Sequence, residues 1–294
     1  MTLEIMMPFY GRPDHLKIAV ESVLAQSDPD WRLTVVDDVY PDLEPGEWVA
    51  SLSDSRITYI RNKDNLRPSK NYNKCVGLTR EKFVTIMGCD DVMLPDYVKR
   101  VAEIIAAHPN ADIIQPGVTV VDENGLPSLP LADRVKRIVR GKLNGITEFT
   151  GESAVKGLLR GNWTYFPSLV WRTEAVAEFS FREDLDVVQD LDMIMKILLA
   201  GGRLVADDQP VFNYRRHSVS YSAITGSDGS KFAQERQLFA EVARRCRDHG
   251  WNGAARSASL RILSRANALL ELPQAIFRFD RGAMGNLARH VFGL

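Results

Sequence analysis

The stretch Phe-Val-Thr-Ile-Met-Gly-Cys-Asp-Asp (83–91) decides the fold class of this chain. Its first five residues form a largely apolar run that is typical of a buried strand, and Gly88 with the acids after it ends the run. An apolar run stopped by two acids also occurs at 33–38, and further short runs lie at 3–7 and 57–60. Continuous apolar runs of this length predict strands that are buried on both faces, as in parallel sheets.

Segments with helical spacing of apolar residues separate these runs. One lies at 16–24 after Pro13, a more polar one at 69–79, and a third at 98–105 after Pro95. Strands that alternate with helices predict an α/β fold with a single, mostly parallel, Rossmann-like sheet that is flanked by helices.

The regular pattern stops after a strand at 112–115. Residues 116–151 contain Gly, Pro and mixed charges, so we expect a long irregular excursion there. Regular elements return with a helix at 152–159, strands at 168–171 and 210–214, and a helix over 191–198. We therefore divide the chain into a domain at 1–222 with halves at 1–115 and 116–222, a Ser/Gly-rich linker at 223–230, and a helical tail at 231–294.

Composition excludes several classes of protein. The chain has 294 residues, of which 45% are hydrophobic and 26% charged, so it is neither disordered nor collagen-like. The net charge of −1 is the sum of +6 for the tail, counted from Ser230, and −7 for residues 1–229. We expect no nucleic-acid partner. The basic tail with interleaved Phe, Leu and Val is typical of a peripheral membrane helix, and packing on the domain or dimerisation through 231–294 are its alternatives.

The cellular location expected from the sequence is the cytoplasm. Cys75, Cys89 and Cys246 are scattered and odd in number, which favours a reducing compartment without disulfides. The sequence has no basic segment followed by a long apolar core at its start, and no apolar run of about 18 residues. A membrane contact through the tail would place the protein at the inner face of the membrane.

Paired acids follow two of the predicted strands, as Asp37-Asp38 and Asp90-Asp91. The carboxyl ends of parallel strands meet at one edge of the sheet, where ligands bind. One such pair is explained equally well by a turn or a helix cap. Two pairs concentrate negative charge that needs a cation, so we interpret Asp90-Asp91 as a site for Mg²⁺ or Mn²⁺.

Several nucleotide-binding and hydrolase motifs are missing from the sequence. Residues 8–12 after the first strand contain no G-x-G-x-x-G, which argues against a dinucleotide-binding domain. The sequence also lacks G-x-x-x-x-G-K-[ST], H-E-x-x-H and G-x-S-x-G, which argues against P-loop NTPases, zincins and α/β-hydrolases.

The remaining motifs, in their order and spacing, resemble family 2 glycosyltransferases over roughly residues 1–222. They are Met7-Pro8-Phe9-Tyr10, Val35-Val36-Asp37-Asp38, Asn65 with Pro68 and Asn71-Tyr72-Asn73, Gly88-Cys89-Asp90-Asp91 before Leu94-Pro95-Asp96, Gln189-Asp190-Leu191-Asp192, and Tyr214-Arg215-Arg216-His217-Ser218-Val219-Ser220. The resemblance implies a GT-A fold and inverting sugar transfer from a nucleotide-diphosphate donor, with UDP expected. It also implies a divalent metal, Mn²⁺ or Mg²⁺, and a saccharide or lipid-linked acceptor in cell-envelope synthesis.

The resemblance also implies roles for individual residues. Asp190 matches the general base, and Asp91 and His217 match groups that contact the metal. The first half, 1–115, would bind the nucleotide and 116–222 the acceptor. The residues expected to contact the nucleotide sugar are Pro8, Phe9, Tyr10, Arg12, Asp37, Asp38, Arg67, Asn71, Asp90, Arg215 and Arg216, and Lys70 is a further candidate for the diphosphate.

Alternatives to these roles stay open. Asp190 is also placed to cap a helix, and Trp163 and Tyr165, which we expect to bind the acceptor, are equally explained as core residues. A nucleotidyltransferase is the alternative enzyme, although it would want a Gly-rich basic loop where only Arg12 occurs. Gly88 and Gln189 depart from the family pattern, which leaves a degenerate sugar-nucleotide-binding subunit as a further alternative.

Overall fold

A computed structural model describes residues 1–216, 229–277 and 279–293. Its sheet has nine strands in the order β3-β2-β1-β4-β8-β6-β9-β5, with β7 paired to β9, over these described residues. The strands are β1 (Leu3–Phe9), β2 (Trp31–Asp37), β3 (Ile57–Arg61), β4 (Phe83–Ile86), β5 (Val92–Met93), β6 (Ile113–Val121), β7 (Thr147–Phe149), β8 (Val170–Arg172) and β9 (Leu204–Arg215).

The sheet is mostly parallel, as the sequence predicts. Strand β1 runs parallel to β2 and β4, β2 to β3, and β6 to β9. Strand β8 is antiparallel to both β4 and β6, and β5 and β7 are antiparallel to β9. Because Phe9 pairs with Asp37, the loops that follow β1 and β2 leave the sheet at the same edge.

Twelve helices accompany the sheet in the part of the chain that the structure describes. They are α1 (Pro13–Leu24), α2 (Glu44–Ser51), α3 (Arg67–Leu78), α4 (Tyr97–Ala107), α5 (Leu131–Arg140), α6 (Gly151–Arg160), α7 (Thr173–Phe179), α8 (Gln189–Leu199), α9 (Ser230–Asp248), α10 (Asn252–Leu260), α11 (Ile262–Phe277) and α12 (Arg281–Phe292). Helices α1 and α3 carry Pro13 and Pro68 in their first turns, where no intrahelical hydrogen bond is lost.

The sequence analysis expected a long irregular segment at 116–151, and this expectation was wrong. Strand β6 continues past Pro116 and Gly117, where its register with β9 shifts, and α5 and β7 follow. A Cβ atom at Gly117 would lie 2.2 Å from the Gln209 carbonyl oxygen, so glycine permits this close approach of the two strands. Helix α5 has apolar residues at helical spacing, Leu131, Val135 and Ile138, which the sequence analysis did not use, although Asp133 is its one fully buried side chain.

The two faces of the sheet carry two hydrophobic cores. Helices α1 and α4 cover one face, and α6 and α8 cover the other. Leu238, Phe239, Val242 and Cys246 of α9, with three alanines of α10, belong to this second core. The first half of the predicted tail therefore packs on the sheet domain, which was one of the alternatives.

The last two helices form a small core of their own with α9. Phe232 of α9 packs with Ala268 and Ala275 of α11 and with Leu287 of α12. Exposed apolar side chains on this part of the chain are Leu269, Leu270, Ile276, Phe277, Phe279 and Phe292. No helix among the described residues is both long enough and apolar enough to cross a membrane. Most of the predicted linker, 223–228, lies outside the described residues, and the division into domain, linker and tail stays a prediction.

Candidate active site

The loops after β1, β2, β3 and β4 gather at one edge of the sheet. The Asp38 amide donates to the Phe9 carbonyl at 2.8 Å, and the Asn62 amide donates to the Asp37 carbonyl at 2.8 Å. On the other side of β1, the Met87 amide donates to the Met6 carbonyl at 2.8 Å. These bonds continue the sheet past the strand ends, so the polar residues that follow each strand lie side by side.

Asp37 and Asp38 both have buried carboxylates with several hydrogen-bond partners. Asp37 accepts from the Tyr59 hydroxyl, from Arg61 Nη1 at 2.5 Å and from the Tyr40 amide at 2.7 Å. Asp38 accepts from Asn62 Nδ2 at 2.7 Å and from the Leu66 and Arg67 amides, at 2.7 and 2.9 Å, at the start of α3. The two acids therefore hold the loops around them, and their contact with a nucleotide stays a prediction.

Tyr59, Arg61 and Asn62 are site residues that the sequence analysis missed. Tyr59 and Arg61 are two positions apart on β3, so both side chains leave the same face of the strand. Asn62 is 6% exposed and also donates to the Asn71 amide oxygen at 3.1 Å, which connects the predicted Asn71 to Asp38. Polar residues at the carboxyl end of a predicted parallel strand are the signal that would have found them.

The segment Pro8-Phe9-Tyr10 contributes one exposed ring. Phe9 is fully buried and packs against Tyr40 with ring centroids 5.0 Å apart. Tyr10 is 59% exposed and stands edge-on to Tyr40 at 6.3 Å, so its face is available to a planar ligand. Arg12 is exposed and donates to Asp14 at 3.0 Å, so the structure does not bring it to the acids of the sheet edge.

Asp90 and Asp91 direct carboxylate oxygens into one small space beside Gly88. A Cβ atom at Gly88 would lie 2.6 Å from Asp91 Oδ2 and 2.8 Å from Asp90 Oδ1. Asp91 is 1% exposed, and its Oδ1 accepts from the Arg215 amide at 2.8 Å. Its Oδ2 is buried and has no hydrogen-bond partner among the residues that the structure describes.

The electrostatics of this pair favour a bound cation. Burial, and then the negative charge of Asp90, raise the pKa of Asp91 well above that of an exposed aspartate, while the Arg215 amide opposes this shift. A divalent ion between the two oxygens would offset the cost of burying the charge, so these residues fit Mg²⁺ or Mn²⁺. His217, the other predicted metal contact, lies outside the described residues. Within the described ranges no group of three or more His, Cys, Asp or Glu is placed to hold a metal ion.

The predicted basic residues fall into two groups. The Arg215 guanidinium donates to the carbonyls of Asp90 and Glu123 at 2.8 and 3.0 Å, and Arg216 donates to Asp133 at 2.8 Å. Both therefore hold the end of β9 against neighbouring segments, Arg215 against the turn after β6 and Arg216 against α5. Arg67 and Lys70 instead line a cleft of about 450 Å³ at the start of α3, with more exposed side chains and long ion pairs to Asp186 and Glu183 of 4.0 and 3.4 Å.

Asp190 lies in the first turn of α8. Its Oδ2 accepts from Asn162 Nδ2 at 3.2 Å, and burial raises the pKa of its carboxyl while the charge of Lys136 partly opposes this. Val188 occupies the N-cap position of α8. Burial raises the pKa of Tyr72 on α3, and the negative charges of both Asp190 and Asp90 add to that shift.

Trp163 and Tyr165 line a cavity of about 340 Å³ between β6 and α5. Trp163 is 4% exposed and packs against Phe149 with centroids 5.3 Å apart, so it belongs to the core as well. The Tyr165 hydroxyl donates to Asp133 at 3.1 Å, and its ring packs against Tyr214 at 5.2 Å. Asn162, which the sequence analysis did not single out, connects this segment to Asp190.

Comparison with known proteins agrees with this arrangement. Residues 4–161 match the model of the Glycosyl transferase family 2. An uncharacterized glycosyltransferase of Methanocaldococcus jannaschii is 23% identical over 72% of this chain and 70% of its own length. The succinoglycan biosynthesis protein ExoO of Rhizobium meliloti is 25% identical over 74% of this chain and 62% of its own length, so ExoO also has sequence that this chain does not match.

A crystal structure has the same fold. S. aureus TarS 1–349 in complex with UDP-GlcNAc superposes with a TM-score of 0.68 at 19% identity, over 99% of this chain and 82% of that chain. The expected GT-A fold is thereby confirmed, and the family match decides against the nucleotidyltransferase alternative. With its family model spanning more than half of the residues, the chain belongs to glycosyl transferase family 2 and is a glycosyltransferase.

Proposed function

We propose that this enzyme transfers a sugar, with inversion, from a nucleoside diphosphate donor to a hydroxyl of a saccharide or lipid-linked acceptor in cell-envelope synthesis. The observation that carries the proposal is the pair of carboxylate oxygens of Asp90 and Asp91 beside Gly88, of which Asp91 Oδ2 is buried without a hydrogen-bond partner among the described residues. UDP is the proposed carrier, which the UDP-GlcNAc complex of the structurally similar TarS supports. The name of ExoO, a succinoglycan biosynthesis protein, supports a polysaccharide acceptor.

Asp190 is the proposed general base. An acceptor hydroxyl is a poor nucleophile, and a carboxylate within hydrogen-bond reach removes its proton as the oxygen attacks the anomeric carbon. The Asn162 amide donates to Asp190 Oδ2 at 3.2 Å, which orients the carboxylate. The raised pKa of Asp190, caused by burial, makes its carboxylate a stronger base than an exposed one.

Asp91 and Asp90 would hold Mn²⁺ or Mg²⁺ through the two oxygens beside Gly88, with His217 as a further proposed contact. When bound, the metal supplies positive charge for the diphosphate as it leaves. Arg67 and Lys70, whose side chains lie in the cleft at the start of α3, add cationic donors for the phosphate oxygens. Tyr10 offers its exposed ring to the nucleobase, and Asp37 and Asp38 position the loops around it.

The tail and the location of the enzyme are part of the proposal. Basic side chains and the exposed apolar residues of α11 and α12 would lie on anionic lipid at the inner membrane face, and dimerisation is the alternative. Sedimentation with vesicles that contain anionic lipid tests this. Binding that survives the double change Phe277→Ala and Phe279→Ala would contradict the membrane contact.

The decisive experiment screens UDP-, dTDP- and GDP-sugars by thermal shift with Mn²⁺, because a bound donor raises the apparent stability. The selected donor is then used to measure donor hydrolysis and transfer. Asp190→Asn is expected to lose transfer by about 10²- to 10⁴-fold and to keep donor binding. Asp248→Asn, an exposed aspartate on α9, is the matched control and should behave as wild type.

Two outcomes would contradict the proposal. Full transfer activity in Asp190→Asn would show that Asp190 is not the base. Donor binding that is unaffected by EDTA and by Asp91→Ala would remove the metal. A wild-type chain that binds a donor and neither hydrolyses nor transfers it would be the degenerate subunit that Gly88 and Gln189 left open.

A further inference from the structure

The cavity between β6 and α5 has an unusual lining. It combines the rings of Trp163 and Tyr165 with three cationic side chains of α5, namely Lys136, Arg137 and Arg140. Its volume of about 340 Å³ is at the lower end of the range for small-molecule pockets, which suits a short saccharide. Aromatic rings offer apolar faces to the C–H groups of a sugar, and the cations offer donors for an anionic group.

The cationic side chains that line the cavity outnumber the acidic ones. Asp133 is the one acid that lines the cavity over the described residues, and its two oxygens already accept from Arg216 and from the Tyr165 hydroxyl. The Arg137 side chain is exposed and makes no hydrogen bond or ion pair with any described residue. Three cations in one wall, beside one acid whose oxygens are already paired, leave a net positive charge that attracts an anion.

Arg140 has a donor that needs a partner. Its Nε is buried and makes no hydrogen bond to any residue that the structure describes. Burial lowers the pKa of Arg140, and the carboxylate of Asp208 only partly opposes this shift. A buried donor without a partner costs free energy, and an anionic oxygen in the cavity would satisfy it.

The cavity connects to the proposed base through a short chain of hydrogen bonds. Lys136 Nζ donates to the Thr164 carbonyl at 2.6 Å, and the Thr164 hydroxyl donates to Asn162 Oδ1 at 2.7 Å. Asn162 Nδ2 in turn donates to Asp190 Oδ2 at 3.2 Å. Lys136 in the wall of the cavity is therefore linked through Thr164 and Asn162 to the residue that would deprotonate the acceptor.

We infer that this cavity is an acceptor subsite for an acidic saccharide, in which Arg140 and Arg137 bind a carboxylate or phosphate group on the sugar and Trp163 and Tyr165 contact its ring. The inference rests on the proposed function, because it takes Asp190 as the base. It adds to that function the charge of the acceptor, because the cavity would bind an acidic saccharide more tightly than a neutral one.

Calorimetry with defined probes tests the inference. Cellobiouronic acid represents a carboxylated sugar, glucose 1-phosphate a phosphorylated one, and cellobiose and glucose their neutral counterparts. We expect at least one acidic probe to bind roughly tenfold more tightly than its neutral counterpart, and this preference to fall by roughly tenfold in Arg140→Gln. The probe with the greater loss identifies the anionic group.

Two further variants show whether a loss of binding comes from the removed charge or from misfolding. Arg137→Gln changes an exposed side chain of the cavity and should also weaken the acidic probe. Arg256→Gln removes the same charge from the exposed side of α10 and should bind every probe as wild type does. Equal binding of acidic and neutral probes, or acidic-probe affinities that are unchanged in both Arg140→Gln and Arg137→Gln, would overturn the inference.

The same calorimeter separates this inference from the proposed function. Binding of the UDP-sugar to the wild-type chain with Mn²⁺ reports on the donor site and does not involve α5. Acidic probes that bind in an Arg140-dependent way to a chain without donor binding would support the cavity as an anionic-saccharide site and contradict the proposed transfer. Donor binding without any preference for acidic probes would support the proposed transfer and contradict the anionic-saccharide site.

Discussion

Gly88 lies beside the two carboxylates that are proposed to hold the metal, and its missing side chain leaves space for them. A methyl group there would meet Asp91 Oδ2 at 2.6 Å and Asp90 Oδ1 at 2.8 Å. We therefore expect Gly88→Ala to weaken Mn²⁺-dependent donor binding by about 10- to 100-fold, because metal affinity depends on how its ligands are oriented. Titration of the donor with and without Mn²⁺ measures this.

Gly77→Ala is the matched control for this substitution. Gly77 lies inside α3 and has no atom within 4 Å of the position that a Cβ would take. Alanine there should leave donor binding unchanged and stabilise the fold by up to about 1 kcal/mol, since it favours the helix. Equal donor affinities of the two variants would show that the space beside Gly88 is not used by a ligand.

The pH dependence of transfer should report on Asp190. Its pKa is raised by burial, so the carboxyl becomes protonated, and inactive as a base, at a higher pH than an exposed aspartate does. We therefore expect kcat/KM to rise with pH along an acidic limb that lies above about pH 4, the region where an exposed carboxyl titrates.

Asn162→Ala tests the assignment of that limb. The Asn162 hydrogen bond favours the charged carboxylate, so its removal raises the pKa of Asp190 further and moves the limb to higher pH. The pH–rate profiles of both proteins at saturating donor give the comparison. A limb that stays in place in Asn162→Ala would assign it to another group.

The residues of this site differ in how far the sequence reveals them. Asp38, Asp90 and Asp91 come after buried strands of the predicted parallel sheet. Because ligands bind at the carboxyl ends of such strands, the sequence alone predicts these acids as site residues. Asn162 and Tyr59 act through distant partners, Asp190 and Asp37, that no local pattern connects to them. Arg215 and Arg216 were predicted for the diphosphate, and their donors instead contact the turn at 122–123 and Asp133.

At the scale of elements, α5 shows what a sequence pattern leaves out. Its apolar residues Leu131, Val135 and Ile138 have helical spacing, yet Leu131 and Ile138 are exposed and Asp133 is its one fully buried side chain. Asp133 pairs with Arg216 after β9, and Lys136 donates to Thr164. Both contacts join segments that are far apart in the chain, so local sequence carries no signal of them.

We expect Asp133→Ala to destabilise the protein by about 2 kcal/mol, because it leaves the sheltered Arg216 guanidinium and the Tyr165 hydroxyl without their acceptor. Urea unfolding measures the loss, and hydrogen exchange over residues 131–140 should rise with it. Leu131→Ala, a change of a 66% exposed side chain on the same helix, should stay within about 0.5 kcal/mol of wild type. A similar loss in both variants would show that the ion pair does not secure α5.

At the scale of the whole molecule, α9 packs into the core on one face of the sheet. Leu238 of α9 is fully buried in the core that also holds residues of α6 and α8, whereas Leu270 of α11 is 67% exposed. We expect Leu238→Ala to cost about 3 kcal/mol and Leu270→Ala to change the free energy of unfolding by less than about 0.5 kcal/mol. Guanidinium melts of the two variants give the comparison, and equal midpoints would place α9 outside the cooperative core.

The position of α9 and α10 also affects how the enzyme folds during synthesis. Strands β1 to β9 of the described residues end at 215, yet the core that holds residues of α6 and α8 also takes side chains from 230–260. Until those residues follow, the apolar side chains of α6 and α8 that pack against them stay exposed to water and to other chains, since domains are completed from the N-terminus onward. A product truncated before residue 230 would therefore carry the acids of the site together with an exposed apolar surface, which favours aggregation.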